Sequence, residues 1–190
     1  MNILDNIYAT LFKPHTAFPD LVNREYLAGS FLIVALVAIL SAFRNAISLD
    51  AAGLSLGILV IISMGSYFLL WIFSSLFLTF TADFLGGTGK ITDTMTGLAY
   101  ALLPLIFISP LYVLTNTMGE PGQNLFPLLQ WLIYLWTVAL IILSLKYTHR
   151  FHITQAILSV VSIFGLIIIF VGGTMLMSVL GIILTVRLFS

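Results

Sequence analysis

The sequence has no cysteine and very little charge: seven basic and seven acidic side chains among 190 residues, or 7%. Without cysteine there can be no disulfide framework, thiolate zinc site, iron–sulfur cluster or cysteine nucleophile. A net charge of zero provides no basic surface for phosphates, so nothing indicates a nucleic-acid partner. A soluble domain carries roughly a quarter charged residues. The chain is therefore expected to have the lipid bilayer as its solvent.

Hydrophobic residues, by contrast, make up 61% of the sequence. A bilayer core is crossed by about 20 helical residues, and five apolar stretches are long enough. These spans cover about residues 26–49, 54–82, 94–114, 126–146 and 154–186. The sequence predicts an all-α polytopic membrane protein, a bundle of about five transmembrane helices over residues 25–190. The last stretch is long for one helix; a hairpin turning at Gly172 and Gly173 is the alternative to one tilted helix.

Residues 1–24 are predicted to form a cytoplasmic amphipathic segment. Apolar residues recur there at helical spacing, namely Ile3, Leu4, Ile7, Tyr8, Leu11 and Phe12. The helix should stop at Lys13, because Pro14 disfavours helical geometry in the residue before it. Such a helix either lies in the membrane interface or packs on the protein's own loops.

The basic residues indicate how the chain is oriented. With five spans, five of the seven lie on the N-terminal side, namely Lys13, Arg24, Lys90, Lys146 and Arg150. Only Arg44 and Arg187 lie near the other side. Since basic loops stay in the cytoplasm, the N-terminus is predicted to be cytoplasmic and the C-terminus external.

A polar loop between the second and third spans carries the first candidate site. It opens with Asp83 and contains Gly86, Gly87 and Gly89 before Lys90. The functional interpretation is a loop that binds an ion or the backbone of a partner. The alternative, which we prefer, is a simple turn beside a carboxylate solvated by headgroups. It is not a phosphate loop, because no Ser or Thr follows the lysine.

Three further residues lie within predicted spans. Tyr100 and Pro104 share one face of the third helix, and Tyr100 could donate to the carbonyl that Pro104 leaves unpaired. Arg44 could pair with Asp50 or Asp83, although we prefer the interpretation that it reaches the external interface. Ionisable groups at membrane depth are costly, which makes each a functional candidate.

Several of these features resemble the Yip1-domain family of five-span membrane proteins with a cytoplasmic N-terminus. The matching pieces are Leu11-Phe-Lys-Pro14 and the glycine-rich loop that leads into Gly97-Leu-Ala-Tyr100-Ala-Leu-Leu-Pro104. The Asp-Leu-Tyr-Gly-Pro motif of eukaryotic members, which bind Rab-type GTPases in vesicle transport, has no counterpart here. The resemblance therefore implies a short prokaryotic-type member in the plasma membrane.

Catalytic apparatus is not visible in the sequence, so we expect a protein that is not an enzyme and needs no cofactor or metal. Three histidines, His15, His149 and His152, fall on one predicted side, but nothing else marks a zinc site. The leading hypothesis is a scaffold or adaptor that binds other membrane proteins or its own copies. The rival is a small transporter or channel-like subunit, suggested by the prolines of the third span. No small-molecule ligand can be named.

Overall fold

The computed structural model describes residues 3–22, 26–48, 55–163 and Gly165, and all regular structure in these ranges is helical. The helices are α1 (Ile3–Phe12), α2 (Pro14–Val22), α3 (Leu27–Ser48), α4 (Leu56–Phe84), α5 (Ile91–Ala101), α6 (Ile108–Thr117), α7 (Glu120–Thr148) and α8 (Ile153–Ile163). Four segments are long and apolar enough to cross a membrane: α3, α4, the run from Ile91 to Thr117, and α7. The predicted fold class, an all-α polytopic membrane protein, is confirmed. The fifth predicted span begins with α8, and most of it lies outside the described residues.

The N-terminal segment forms two helices where the sequence predicted one. α1 ends at Phe12, as the proline rule requires, but Pro14 then starts α2, because proline fits the first turn of a helix. Phe18 and Leu21 of α2 are buried in a cluster with Tyr100 and Leu140 of the third and fourth spans. The α1–α2 pair (residues 3–22) is thus part of the bundle.

The outer face of α1 is apolar, and its inner face combines buried polar residues with Ile7 and Leu11, which pack against the core. Leu4, Tyr8 and Phe12 are exposed by 76%, 59% and 64%, whereas Asn6 and Thr10 are almost completely buried. The inner face therefore packs on the protein itself. The exposed stripe is the arrangement expected of a helix lying in a membrane interface.

The third span is broken in the middle. α5 ends at Ala101, a 3-10 helix covers Leu103–Phe107, and α6 continues to Thr117. Pro104 has no N–H with which to continue the α-helical ladder, so the chain tightens into the 3-10 turn before it resumes. The kink expected from the proline is present. Pro110 lies near the start of α6, where no break follows.

The fourth span begins earlier than expected. The predicted loop over residues 116–124 is largely helical, because α7 starts at Glu120 with Pro121 in its first turn. Gly122 allows this tight return, since a β-carbon there would collide with the carbonyl oxygen of Thr115. A helix forms here because the long uncharged run and the proline in the first turn favour a helix more than the turn-forming residues favour a loop.

Two ends of the bundle can be distinguished. At the first, which we call the glycine-loop end, α4 and α7 finish and α5 and α8 begin. His15 of α2 also lies there, with Nδ1 3.0 Å from the Tyr147 hydroxyl. α3 begins deeper, where Gly29 lies against the Tyr100 ring. Tyr100 is nine residues into the third span, which corresponds to a depth of about 13 Å along the helix axis. α3 therefore begins about that far below the glycine-loop end, and the α1–α2 pair covers the surface that α3 does not reach.

Candidate functional site at the glycine loop

The glycine loop (residues 85–90) begins with a Schellman turn that stops α4. Gly86 has φ +87°. The Gly87 N–H donates to the Ala82 backbone carbonyl at 2.8 Å, and the Gly86 N–H donates to the Asp83 backbone carbonyl at 3.0 Å. These are the two bonds that define this helix end. Gly86 is required because a side chain would be strained at that φ. The first role of the loop is therefore to terminate a spanning helix.

His149, the residue that follows α7, organises the rest of the loop. Its ring is 1% exposed. Nδ1 accepts a hydrogen bond from the Gly89 N–H at 3.2 Å, and Nε2 lies 3.0 Å from Thr94 Oγ1 on α5. Because Nδ1 accepts a backbone N–H, the neutral ring carries its proton on Nε2 and donates it to the threonine. One imidazole thus joins α7, the loop and α5.

Gly87 and Gly89 are needed for this contact. A β-carbon on either would lie 2.9 Å from His149 Nδ1, and one on Gly89 would also lie 2.6 Å from the Thr148 carbonyl oxygen. The Phe151 ring stacks on the imidazole, with a centroid distance of 5.5 Å. We call this arrangement of His149, Gly87, Gly89 and Thr94 the histidine clasp.

The clasp favours a neutral imidazole. Burial lowers the pKa of His149, while the carboxylates of Asp83 and Asp93 partly oppose that shift. A second proton would have to be placed on Nδ1, which already accepts the Gly89 N–H. Protonation and clasp formation are therefore antagonistic.

Asp83 lies outside the clasp, on the last turn of α4, and its side chain is exposed. The neighbouring Phe84 is 87% exposed. The glycines are more than the simple turn of the preferred interpretation, because Gly87 and Gly89 also make room for the His149 ring. The loop's inner surface is occupied by the protein's own histidine, which leaves Asp83 and Phe84 on its outside.

Tyr100 does not donate to the carbonyl left unpaired by Pro104, and that expectation is wrong. Its side chain is fully buried, and its hydroxyl points away from the proline toward Gly29 and the Asn6 side chain. The reason is the α1–α2 pair, whose position the sequence did not reveal. Tyr100 instead forms part of the buried wall against which α2 packs, and Pro104 is buried in the 3-10 turn.

Arg44 lies near the opposite end of the bundle and is half-buried in the last turns of α3. Its guanidinium donates to Asn45 Oδ1 at 3.4 Å. Pairing with Asp83 is ruled out, because Asp83 lies at the glycine-loop end. Asp50, the other suggested partner, lies outside the described residues.

The three histidines have separate surroundings. His15 contacts Tyr147, His149 is held in the clasp, and His152 is exposed. Within the described ranges no group of three potential metal ligands converges. The importance of His149 was missed by sequence reasoning. The available signal was its position directly after the fourth span, opposite a loop with three glycines.

Four membrane-crossing segments and an amphipathic N-terminal pair packed against them define a polytopic α-helical membrane protein. The Yip1 domain model matches residues 8–186, almost the whole chain, and the protein belongs to the Yip1 domain family. The suspected family is thereby confirmed. No curated protein and no solved structure matches the chain.

Proposed function

We propose that this Yip1-domain protein is a non-enzymatic membrane scaffold or adaptor that binds other membrane proteins, or its own copies, at the glycine-loop end. The observation that carries the proposal is the contrast between a fixed loop and the exposed residues beside it. His149 holds the glycine loop from within the bundle, whereas Asp83 and Phe84, on the last turn of α4, are exposed. A rigid loop with an exposed aromatic ring loses little entropy on binding, and aromatic anchors dominate interface energies.

A photo-crosslinking amino acid at position 84 tests the proposal in native membranes. We expect discrete protein adducts from position 84, because the ring lies beside the polar loop at the end of α4. Phe80, one turn earlier and 70% exposed, is the matched control and should give mainly lipid adducts. A protein that yields no adduct at 84 and purifies from gently solubilised membranes as a monomer without partners would contradict the adaptor function.

The proposed location is a prokaryotic plasma membrane, with the glycine-loop end in the cytoplasm. Four described basic residues support this orientation, since Lys13, Lys90, Lys146 and Arg150 lie at that end and Arg44 near the other. By the positive-inside rule, this distribution supports a cytoplasmic N-terminus.

Cysteine labelling can measure this orientation, because the natural chain has no cysteine to remove. Single cysteines at the exposed residues Thr88 and Gln123 mark the two ends. In intact cells, a membrane-impermeant maleimide is expected to label Gln123→Cys and not Thr88→Cys, and both should react after lysis. The reverse pattern would place the glycine loop outside.

A second candidate function, a small transporter, is favoured by one observation, the 3-10 break of the third span. Broken helices line substrate sites in transporters. Here the first residues of the break are packed, because Leu103 and Pro104 are buried, and only Phe107 at its end is exposed. We therefore expect liposomes containing the protein to remain tight to ions and small solutes. Uptake that is lost in Asp83→Asn would favour the transporter instead.

A further inference from the structure

The middle of the glycine loop is held against α7 by one residue. Residues 86–89 bury no side chain, because three of the four are glycine and Thr88 is exposed. Two of their backbone N–H groups donate to His149, from Gly89 to the ring at 3.2 Å and from Thr88 to the carbonyl oxygen at 3.4 Å. The Gln155 side chain on α8 reaches the first residue of the loop instead. The position of residues 86–89 therefore depends on His149.

The backbone directly after His149 is strained. Arg150 has φ +56°, and among the described residues it is the only one other than glycine with a positive φ. The β-carbon of an L-residue makes this left-handed conformation costly. The Phe151 N–H donates to the Lys146 carbonyl at 2.9 Å, so α7 ends in a Schellman turn that usually has glycine where Arg150 lies. This turn would relax if His149 moved away from the loop.

The charges around His149 come from several elements. The carboxylates of Asp83, on the last turn of α4, and Asp93, in the first turn of α5, both favour a charged ring, against the effect of burial. The basic side chains nearest in sequence are all exposed or half-buried, namely Lys90, Lys146, Arg150 and His152. Opening the loop removes the burial of the ring and leaves both carboxylates on their helices. The open loop therefore favours the imidazolium.

The helices around the loop are packed by groups that do not titrate in mild acid. The apolar cluster beside the clasp joins α4, α7 and α8 through buried residues that include Ala82, Leu145 and Ala156. None of the buried residues in this cluster can take up a proton near neutral pH. Only the loop depends on the protonation state of His149, so it can move while the helices stay packed.

We propose that the histidine clasp is an acid-operated latch, in which a proton on His149 Nδ1 releases the glycine loop from α7 while the helical bundle stays folded. In neutral solution the latch is closed. In acid the imidazolium cannot accept the Gly89 N–H, and the loop moves away from Thr148, which lies beneath it. The latch needs no partner at the glycine-loop end. It gives the loop a response to pH that is distinct from unfolding of the whole protein.

The reactivity of a cysteine beneath the loop tests the proposal. Thr148→Cys places a thiol at a position that is 4% exposed and lies under Gly89. Thr88→Cys, in the same loop, is exposed and serves as the reference. The natural chain has no cysteine, and a dipyridyl disulfide labels thiols even in acid. Because one proton can shift an equilibrium tenfold per pH unit, we expect the rate at position 148, divided by that at 88, to rise about tenfold from about pH 7.5 to about 5.5.

Two controls separate the latch from other effects of acid. His149→Asn removes the titrating group and keeps an acceptor for the Gly89 N–H, so in His149→Asn/Thr148→Cys the ratio should not change with pH. Ala38→Cys lies in the middle of α3, at a fully buried position. Its thiol should stay unreactive at both pH values, because the bundle remains folded.

Three results would overturn the proposal. The first is an equal ratio at both pH values. The second is a rise that persists in His149→Asn, which would assign the titration to another group. The third is an Ala38→Cys thiol that reacts in acid, because the whole bundle would then have opened. Hydrogen exchange of residues 85–90 gives the same reading without a cysteine: corrected for the intrinsic rate, it should quicken in acid in the natural chain and not in His149→Asn.

Discussion

Replacing Gly89 with alanine is expected to lower the free energy of unfolding by about 1–3 kcal/mol, the usual cost of overpacking a buried site. The new methyl group would lie 2.6 Å from the Thr148 carbonyl oxygen and 2.9 Å from His149 Nδ1. The first of these atoms belongs to the backbone of α7, so the loop must move and the Gly89 hydrogen bond to His149 is lost. Thermal unfolding of the purified protein in detergent measures the effect as a fall of several degrees in Tm.

Gly65→Ala is the matched control for that experiment. Gly65 lies within α4, and a β-carbon there would meet no atom within 4 Å. Since alanine is the better helix former, Gly65→Ala should leave Tm unchanged or raise it slightly. If both variants melted at the wild-type temperature, the close approach of the loop to α7 would be wrong.

Acidification is expected to destabilise the protein through His149. Burial holds its folded pKa below the ordinary value of 6.5, so the unfolded chain binds more protons between those two values. The stabilisation is fully present above the unfolded pKa and is lost as pH falls through the folded pKa. The slope from this group can reach about 1.4 kcal/mol per pH unit. Unfolding followed from about pH 7.5 to about 5.5 should therefore show a steadily falling Tm.

His149→Asn removes this titration and keeps an oxygen acceptor for the Gly89 N–H. Its stability should depend less on pH than that of the wild type, although its Tm at neutral pH will be lower because the contact with Thr94 is lost. His152→Asn is the control, since His152 is exposed three residues away. A pH slope that disappears in His152→Asn, or that persists in full in His149→Asn, would assign the effect to another group.

The membrane class and the helical fold could be predicted because both follow from composition and the length of apolar runs. The break at Pro104 could also be predicted, because the loss of one N–H is a local property of proline. The start of α7 could not, because it depends on Gly122 packing against the Thr115 carbonyl. The turn-forming residues of the predicted loop, over 116–124, do not reveal that Gly122 contacts Thr115.

The candidate site was only partly predictable, for a similar reason. Asp83, Gly86 and Gly87 do mark the loop, yet the residue that fixes it lies 60 positions from its partner Gly89. The hydrogen bond predicted for Tyr100 was wrong, because its neighbour Asn6 lies 94 positions earlier in the chain. Helical periodicity identifies an amphipathic face without saying what it contacts. Contacts between distant parts of the chain are therefore where the sequence analysis was incomplete.

The packing of the α1–α2 pair also sets an order of events during biosynthesis. His15 contacts Tyr147, which is made 132 residues later, and Phe18 packs in the cluster that contains Tyr100 and Leu140. When the first helices leave the ribosome, none of these partners exists. The pair can therefore reach its final contacts only after the fourth span has been made. Residues made early are thus among the last to reach their final places, and their docking marks the arrival of the fourth span.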